Sequence, residues 1–413
     1  MKKPSFFYGY AVVGSGFLIQ AIGIGTIVAF GVFFKPILAD LGWSRAVLSG
    51  AQSISLLIGG ALGIVMGRLN DRFNPRLVMA ITGLIFGLGH FLMSGISEIW
   101  YLYFVYGLVV GLGRSSVDVI PMTSAARWFR KKRGIMSGII KVGTGIGQSL
   151  VPLLAILLIS SFGWREAYQI IGVGAAILMV GAGQLLRRDP AGMGLLPDGV
   201  SSAPDTAKSS PETGTTLKEA MAGREFWTIG FANMAALFCL LIIMVHIVPH
   251  ASDMGLDPAL AAGVLSAIGG MSILGRVFIG LAVDRIGSRK AMIICFVLLV
   301  CVITSLQWIA APWAFFTFAV VYGFAHGGLY TMISPIIAEY FGLRSHGTLF
   351  GIVAFSGNIG GAVGSVLAGY VFDTTGSYSL AFWGCTAILV VGLGLIISLG
   401  QPKPLPELAS PSI

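Results

Sequence analysis

The sequence predicts an all-α integral membrane protein of twelve transmembrane helices, arranged as two pseudo-symmetric six-helix bundles. Three observations carry the prediction. Of 413 residues, 56% are hydrophobic and 10% are charged, whereas a soluble domain carries about 25% charged residues. The apolar residues gather into twelve runs, each near the roughly 20 residues that cross a bilayer as a helix. One ten-residue stretch also occurs twice. Gly67-Arg-Leu-Asn-Asp71-Arg72-Phe-Asn-Pro-Arg76 returns as Gly280-Leu-Ala-Val-Asp284-Arg285-Ile-Gly-Ser-Arg289, with the Gly, the Asp-Arg pair and the last Arg at a constant offset of 213 residues.

In chain order, Met1-Lys2-Lys3 leads into a run at about 10–34 that is too long for a signal-peptide core and has no small-residue cleavage site. It reads as a retained first helix. The next spans fall at about 46–66, 77–96, 100–123, 135–160 and 167–186. The second half supplies about 226–250, 259–282, 290–310, 313–338, 348–371 and 379–399. Each Asp-Arg stretch is then a short polar hairpin between two spans. Further echoes join the halves: Tyr106-Gly107 with Tyr322-Gly323, Trp128-Phe129 with Tyr340-Phe341, and Ser-Gly-Ile-Ile at 137–140 with Phe-Gly-Ile-Val at 350–353. Such ordered matches point to a parallel internal repeat.

Four segments follow: an N-terminal bundle (1–186), a linker (187–224), a C-terminal bundle (225–400) and a tail (401–413). The linker is rich in Pro, Gly, Ser and Thr up to about Leu217, after which Lys218 to Arg224 suits a short surface helix. Glycine, at 58 residues, is about twice its usual share and suits close helix packing where lipid supplies no hydrophobic drive. Cys239, Cys295, Cys301 and Cys385 lie in apolar runs with no disulfide or metal spacing, so they read as packing residues.

The cations sort onto alternate loops. Lys2, Lys3, Arg68, Arg72, Arg76, Arg127, the cluster Arg130 to Arg133, Arg187, Arg188, Lys208, Lys218, Arg224, Arg285, Arg289, Lys290, Arg344 and Lys403 share one set, while the other holds Lys35, Arg45 and Arg165. The positive-inside bias puts the basic loops and both termini in the cytoplasm, with the chain in the cell (inner) membrane. The net charge of +9 is therefore a topology signal, and no nucleic-acid partner is implied.

Few ionisable groups remain within the spans: Arg114, Asp118, Lys141 and Arg276, with His90 and His326. Each buried cation costs about 2.5–3.5 kcal/mol on insertion scales, so each faces protein or water. Three cations against one carboxylate favour an anion in the interior. Arg114 and Asp118 stand one helical turn apart on the fourth helix, and the rise per residue puts Asp118 level with Lys141 on the fifth. A structural Arg114–Asp118–Lys141 triad and a substrate- or proton-handling cluster are both open. Arg276 has no acid within a turn of its own helix; it anchors a substrate carboxylate or meets an acid from elsewhere, such as Glu339. His326, with Tyr330 one turn along, either handles a proton or is a core histidine bonded to a carbonyl. Asn358 and Asn233 are weaker pocket candidates, and His246 and His250 fall near the outer mouth.

The paired Asp-Arg stretches resemble the signature of the major facilitator superfamily, and the resemblance covers nearly the whole chain. In that family these loops lock helices on the cytoplasmic side and are remade during transport, which implies gating by Asp71, Arg72, Asp284 and Arg285. A narrower likeness lies in Trp128-Phe-Arg-Lys-Lys-Arg133-Gly-Ile-Met-Ser-Gly138-Ile-Ile-Lys-Val-Gly143-Thr-Gly-Ile-Gly147. It resembles the monocarboxylate porter pattern Tyr-Phe-x-Lys-Arg-Arg-x-Leu-Ala-x-Gly-x-Ala-x-Ala-Gly-x-x-x-Gly. That family includes proton-coupled lactate and pyruvate carriers and bacterial oxalate–formate exchangers, and its eighth-helix arginine, which pairs with substrate carboxylate, corresponds to Arg276. Gly42-Trp-Ser-Arg45, Gly163-Trp-Arg-Glu-Ala-Tyr168 and Gly194-Leu-Leu-Pro-Asp-Gly199 resemble bacterial members. Three departures stand out: Tyr8-Gly9-Tyr10 has no acid before Gly, Ser272 replaces an Asp, and Ile352 to Gly360 lacks the cation of the oxalate exchanger.

The expectation is thus a monomeric secondary carrier of a small organic anion, a proton-coupled monocarboxylate of the lactate or pyruvate type, working by alternating access without cofactor or metal. Helices one, four, seven and ten line the path. Arg276, His326, Tyr330, Arg114 and Asn358 bind substrate, and Asp118, Lys141 and His326 handle charge or protons. The alternative is an oxalate–formate type exchanger or an efflux carrier. A non-transporting receptor lacks a soluble output domain here, and an enzyme lacks a His-Glu-x-x-His pattern, a Gly-x-Ser-x-Gly elbow or a phosphate loop.

Overall fold

The computed structural model describes residues 6–200, 214–309 and 311–402. Lys2, Lys3, Lys208, Lys403, the middle of the expected linker and nearly all of the tail lie outside the described residues. Among those described, twelve helices are long and apolar enough to cross a membrane: Gly9–Leu41, Ala46–Arg72, Pro75–Gly95, Ile99–Trp128, Arg133–Phe162, Trp164–Leu185, Arg224–Asp253, Ala259–Ile286, Ser288–Ser305, Pro312–Phe341, His346–Thr375 and Ser379–Ser398. They are counted below in this order.

Several helices outrun the apolar windows. The second ends at Arg72 and the eighth at Ile286, so each Asp-Arg pair forms the last helical turn and the polar hairpin shrinks to the residues behind it. Backbone hydrogen bonding continues past the apolar stretch because helix ends in water need no lipid-matching side chains. Leu217–Ala222 forms a short helix opened by a Thr216–Glu219 capping box, as the sequence expects.

The packing repeats between halves. The first helix lies on the fifth and the third on the sixth; likewise the seventh lies on the eleventh and the ninth on the twelfth. The most extensive crossings between the halves are those of the second helix with the eleventh and of the fifth with the eighth. Glycine makes both possible. A Cβ on Gly67 would stand 2.1 Å from the Gly347 carbonyl oxygen, and one on Gly134 would stand 2.3 Å from that of Gly280. Backbones this close exclude any side chain.

Toward lipid the surface is apolar, with Leu150, Leu153, Leu154 and Leu157 exposed along the fifth helix. Trp100, Trp308 and Trp313 are exposed at the end of the bundle opposite Asp71 and Asp284. Tryptophan at that position is the mark of a membrane–water interface, apolar ring in the headgroup layer and N–H in water. The other end, which carries the Asp-Arg pairs and most of the cations, is called the basic end below.

Candidate functional site

A cavity of about 300 Å³ lies between the halves. Helices one, four, seven and ten line it, as expected, through Gln20, Asp118, Leu241 and His326. The other four helices that bound it are the inter-half pairs: Gly60 on the second, Lys141 on the fifth, Arg276 on the eighth and Asn358 on the eleventh.

The fourth helix is not regular, and this overturns the triad. It runs through a π-helical stretch at Tyr103–Val110 and breaks again between Arg114 and Val119. Pro121 explains the second break: it has no N–H to donate to the Val117 carbonyl, and its ring crowds that carbonyl. Gln20 on the first helix fills the gap. Its Nε2 donates to Val117 O at 3.2 Å and to Asp118 Oδ1 at 2.6 Å, and its Oε1 accepts from Thr144 Oγ1 at 2.7 Å. Asp118 also accepts from Lys141 Nζ. The cluster is therefore Gln20, Asp118, Lys141 and Thr144, stitching helices one, four and five. Arg114 stands apart and makes no hydrogen bond or ion pair among the described residues; its stem lies against Gly59 of the second helix, where a Cβ would approach its Cγ to 2.7 Å.

Across the cavity, Arg276 is 3% exposed, and neither Nε nor Nη1 has a hydrogen-bond partner. Glu339 is not its partner: that carboxylate accepts from the backbone N and Oγ of Ser288, at 3.2 and 2.8 Å. A Cβ on Gly145 would sit 2.6 Å from Nη1, so glycine on the fifth helix leaves the guanidinium its room. His326 lies on the cavity wall with Nδ1 buried and unpartnered, not bonded to a carbonyl as a core histidine would be. Its ring is 5.1 Å from that of Tyr330, which shares the wall. Asn358 lies beside Gly60, with Nδ2 3.1 Å from where that residue's Cβ would be.

At the basic end the two halves exchange carboxylates. Asp71 accepts from Gly347 N at 3.0 Å, from Thr348 N at 3.1 Å and Oγ1 at 3.2 Å, and from Arg127 Nη2 at 3.0 Å. Asp284 accepts from Gly134 N at 2.5 Å and Ile135 N at 2.9 Å. Each Asp thus caps a helix of the opposite half, the eleventh and the fifth, where free N–H groups and the positive end of the helix dipole favour an anion. The reciprocity is built on the repeat, since Asp284 follows Asp71 and Gly347 follows Gly134 by the same 213 residues. Among the described residues, Arg72 and Arg285 make none of these hydrogen bonds. Both are exposed, and the cation at the Asp71 lock is Arg127.

The remaining candidates stand away from the cavity. Asn233 does not reach the cavity; its Nδ2 donates to Val353 O at 2.8 Å and ties the seventh helix to the eleventh. His246 is held by Tyr378 Oη at 3.2 Å and Ser365 O at 3.0 Å, and His250 packs among Phe315, Tyr378 and Phe382. Cys239, Cys295 and Cys385 are buried, while Cys301 is exposed. Among the described residues no group of His, Cys, Asp and Glu is placed to hold a metal ion. Sequence reasoning does not reach Gln20, Thr144 or Arg127. Gln20 had a signal, a polar residue amid an apolar run, but an uncharged one.

Two repeated half-bundles around a cavity lined by buried cations, tied together at one end by helix-capping carboxylates, have the architecture of a membrane transporter. The chain belongs to the Major Facilitator Superfamily, whose sequence profile matches residues 16–280 and 226–412. It is similar to monocarboxylate transporter 13 of Bos taurus, with 28% identity over 400 residues that cover 96% of this chain and 91% of that protein. MFS-type transporter 1 of Ophiocordyceps sp. (strain BCC 1869) is 26% identical, covering 96% and 87%. Human monocarboxylate transporter 7 is 24% identical, covering 94% and 85%. In fold it is similar to the crystal structure of the human organic anion transporter MFSD10 (TETRAN), at a TM-score of 0.73 and 14% identity, covering 94% of this chain and 99% of that one. The family is one of transporters, not enzymes.

Proposed function

We propose that the protein is a secondary carrier of small carboxylates, with proton-coupled monocarboxylate symport of the lactate or pyruvate kind as the principal reading. The observation that carries it is Arg276: a buried guanidinium with two unpartnered nitrogens, on the wall of a cavity between the halves. Such a fork matches a carboxylate in both charge and shape. The names of the similar proteins from Bos taurus and Homo sapiens support the same class.

His326 and Tyr330 complete the anion site, with Asn358 on the facing helix. An anion entering beside Lys141 competes with Asp118 for that ammonium, so Asp118 or His326 takes the accompanying proton and the charge crosses as a neutral sum. The halves, residues 1–186 and 225–400, rock about this site, and the linker 187–224 joins them. With the basic end and both termini cytoplasmic in a cell membrane, the present arrangement is closed inward. Asp71 and Asp284 release their helix caps when it opens. The protein acts as a monomer.

The test is uptake of labelled lactate, pyruvate, formate and oxalate into proteoliposomes, with and without an inward proton gradient. Symport requires that the gradient drive accumulation of a monocarboxylate. Uptake indifferent to the gradient but stimulated by internal anion replaces symport with exchange, and no uptake of any of the four ends the carboxylate reading.

A further inference from the structure

Three cations line the cavity: Arg114, Lys141 and Arg276. Lys141 is committed to Asp118. Neither guanidinium has a hydrogen bond or ion pair among the described residues, and the electrostatic neighbours of Arg114, Tyr106 and His90, bring no carboxylate. The cavity therefore carries two uncompensated positive charges, one on each half. A monoanion on Arg276 leaves the other facing a low-dielectric space, where it costs several kcal/mol.

The two forks are also placed to take different ends of one molecule. Asp118 and Lys141 touch, which sets a common level. Arg114 lies four residues farther from the basic end than Asp118, and Gly145, which flanks Arg276 Nη1, lies four residues farther than Lys141. Both arginines are thus displaced from the Asp118–Lys141 contact toward the same end of the cavity, and both line it. They stand on separate walls, Arg114 against the second helix at Gly59 and Arg276 against the fifth at Gly145.

We infer that Arg114 is a second anion anchor and that the preferred substrates are small dicarboxylates, one carboxylate on Arg276 and the other reaching Arg114 across the cavity. This rests on the reading of Arg276 as a carboxylate anchor, and for the acid it takes it puts a dicarboxylate in place of the monocarboxylate of the principal reading. Because the anchors belong to opposite halves, a dianion bridges them, while a monocarboxylate engages one half.

The test uses the full chain, purified and reconstituted, and compares lactate, succinate and monomethyl succinate as competitors. Each charged anchor contributes roughly a tenfold change in affinity or more. The parent should take succinate about tenfold better than monomethyl succinate, which keeps the body and loses one charge; equal affinity overturns the inference without any variant. In Arg114→Gln the succinate-to-lactate preference should fall about tenfold, with Arg114→Lys, which keeps the charge but loses the fork, in between. Arg276→Gln should weaken both acids. An unchanged preference in a folded Arg114→Gln removes the second anchor alone, whereas Arg276→Gln that binds both acids like the parent removes the first anchor and the inference with it.

Discussion

The gate at the basic end and the cavity above it are both rich in ionisable groups, yet they treat charge in opposite ways. At the gate the carboxylates are answered: Asp71 by four donors, Asp284 by two backbone N–H groups and Glu339 by Ser288. In the cavity, among the described residues, Arg276 and His326 keep buried nitrogens without partners and Arg114 makes no hydrogen bond or ion pair, while Asp118 is held by Lys141 and Gln20. A buried charge with partners holds helices together; one without partners destabilises the fold by several kcal/mol and is kept for something that arrives. The contrast separates residues that tie the two halves together from residues whose charge the protein itself leaves unanswered.

The contrast is broken most severely by filling the crossing at the gate. Gly67→Val puts side-chain carbons where the Gly347 carbonyl stands, 2.1 Å from the position of a Cβ. Closure at the basic end is then impossible and transport should fall about 100-fold or more. A cysteine placed at Ser334, which is fully buried at the gate, should become reactive to a membrane-impermeant thiol reagent from the basic side. Transport near the parent level, or a Ser334→Cys thiol that stays shielded, contradicts the closure.

A smaller effect sharpens the comparison within the gate. Asp71→Asn and Asp284→Asn each weaken charge-assisted hydrogen bonds, worth about 1.5–3 kcal/mol apiece. Asp71 has an arginine and a hydroxyl among its donors and Asp284 has neither, so reactivity at the gate should rise by about tenfold in Asp71→Asn and by less in Asp284→Asn. The reverse order would show that the two locks are not ranked by their donors. Neither variant should alter the ratio of affinities for different acids, because neither carboxylate lines the cavity.

How far the sequence reaches follows from the same chemistry. The twelve spans, the repeat and the position of the gate are legible because lipid demands long apolar runs and because the Asp-Arg stretches recur at a fixed offset. Arg276 is legible as an isolated cation, since no acid stands near it in sequence. The separation of Arg114 from Asp118 is not legible from regular helical spacing, which places both on one face. Pro121 unwinds the turn between them and hands Asp118 to Gln20 and Lys141. The exposure of Arg72 and Arg285 has a related cause. Adjacent residues on a helix end point in different directions, so the Asp turns toward the opposite half while the Arg turns to solvent. Asn233 shows the limit for uncharged polar groups, because a buried amide bonded to a carbonyl looks in sequence the same as one facing a pocket.

The central claim is that the unpartnered guanidinium of Arg276 holds a substrate carboxylate. Its most direct test is titration of purified parent, Arg276→Lys and Arg276→Gln with lactate and succinate, alongside thermal melting without ligand. Removing one member of a buried charge pair costs about 3–5 kcal/mol, so Arg276→Gln should lose affinity by about 100-fold or more for both acids. Its melting temperature should hold or rise, since an unanswered buried charge is removed, and Arg276→Lys should keep part of the affinity. Parent-like binding of both acids by Arg276→Gln, or a collapse of its melting temperature before any ligand is added, contradicts the account and makes Arg276 a structural residue.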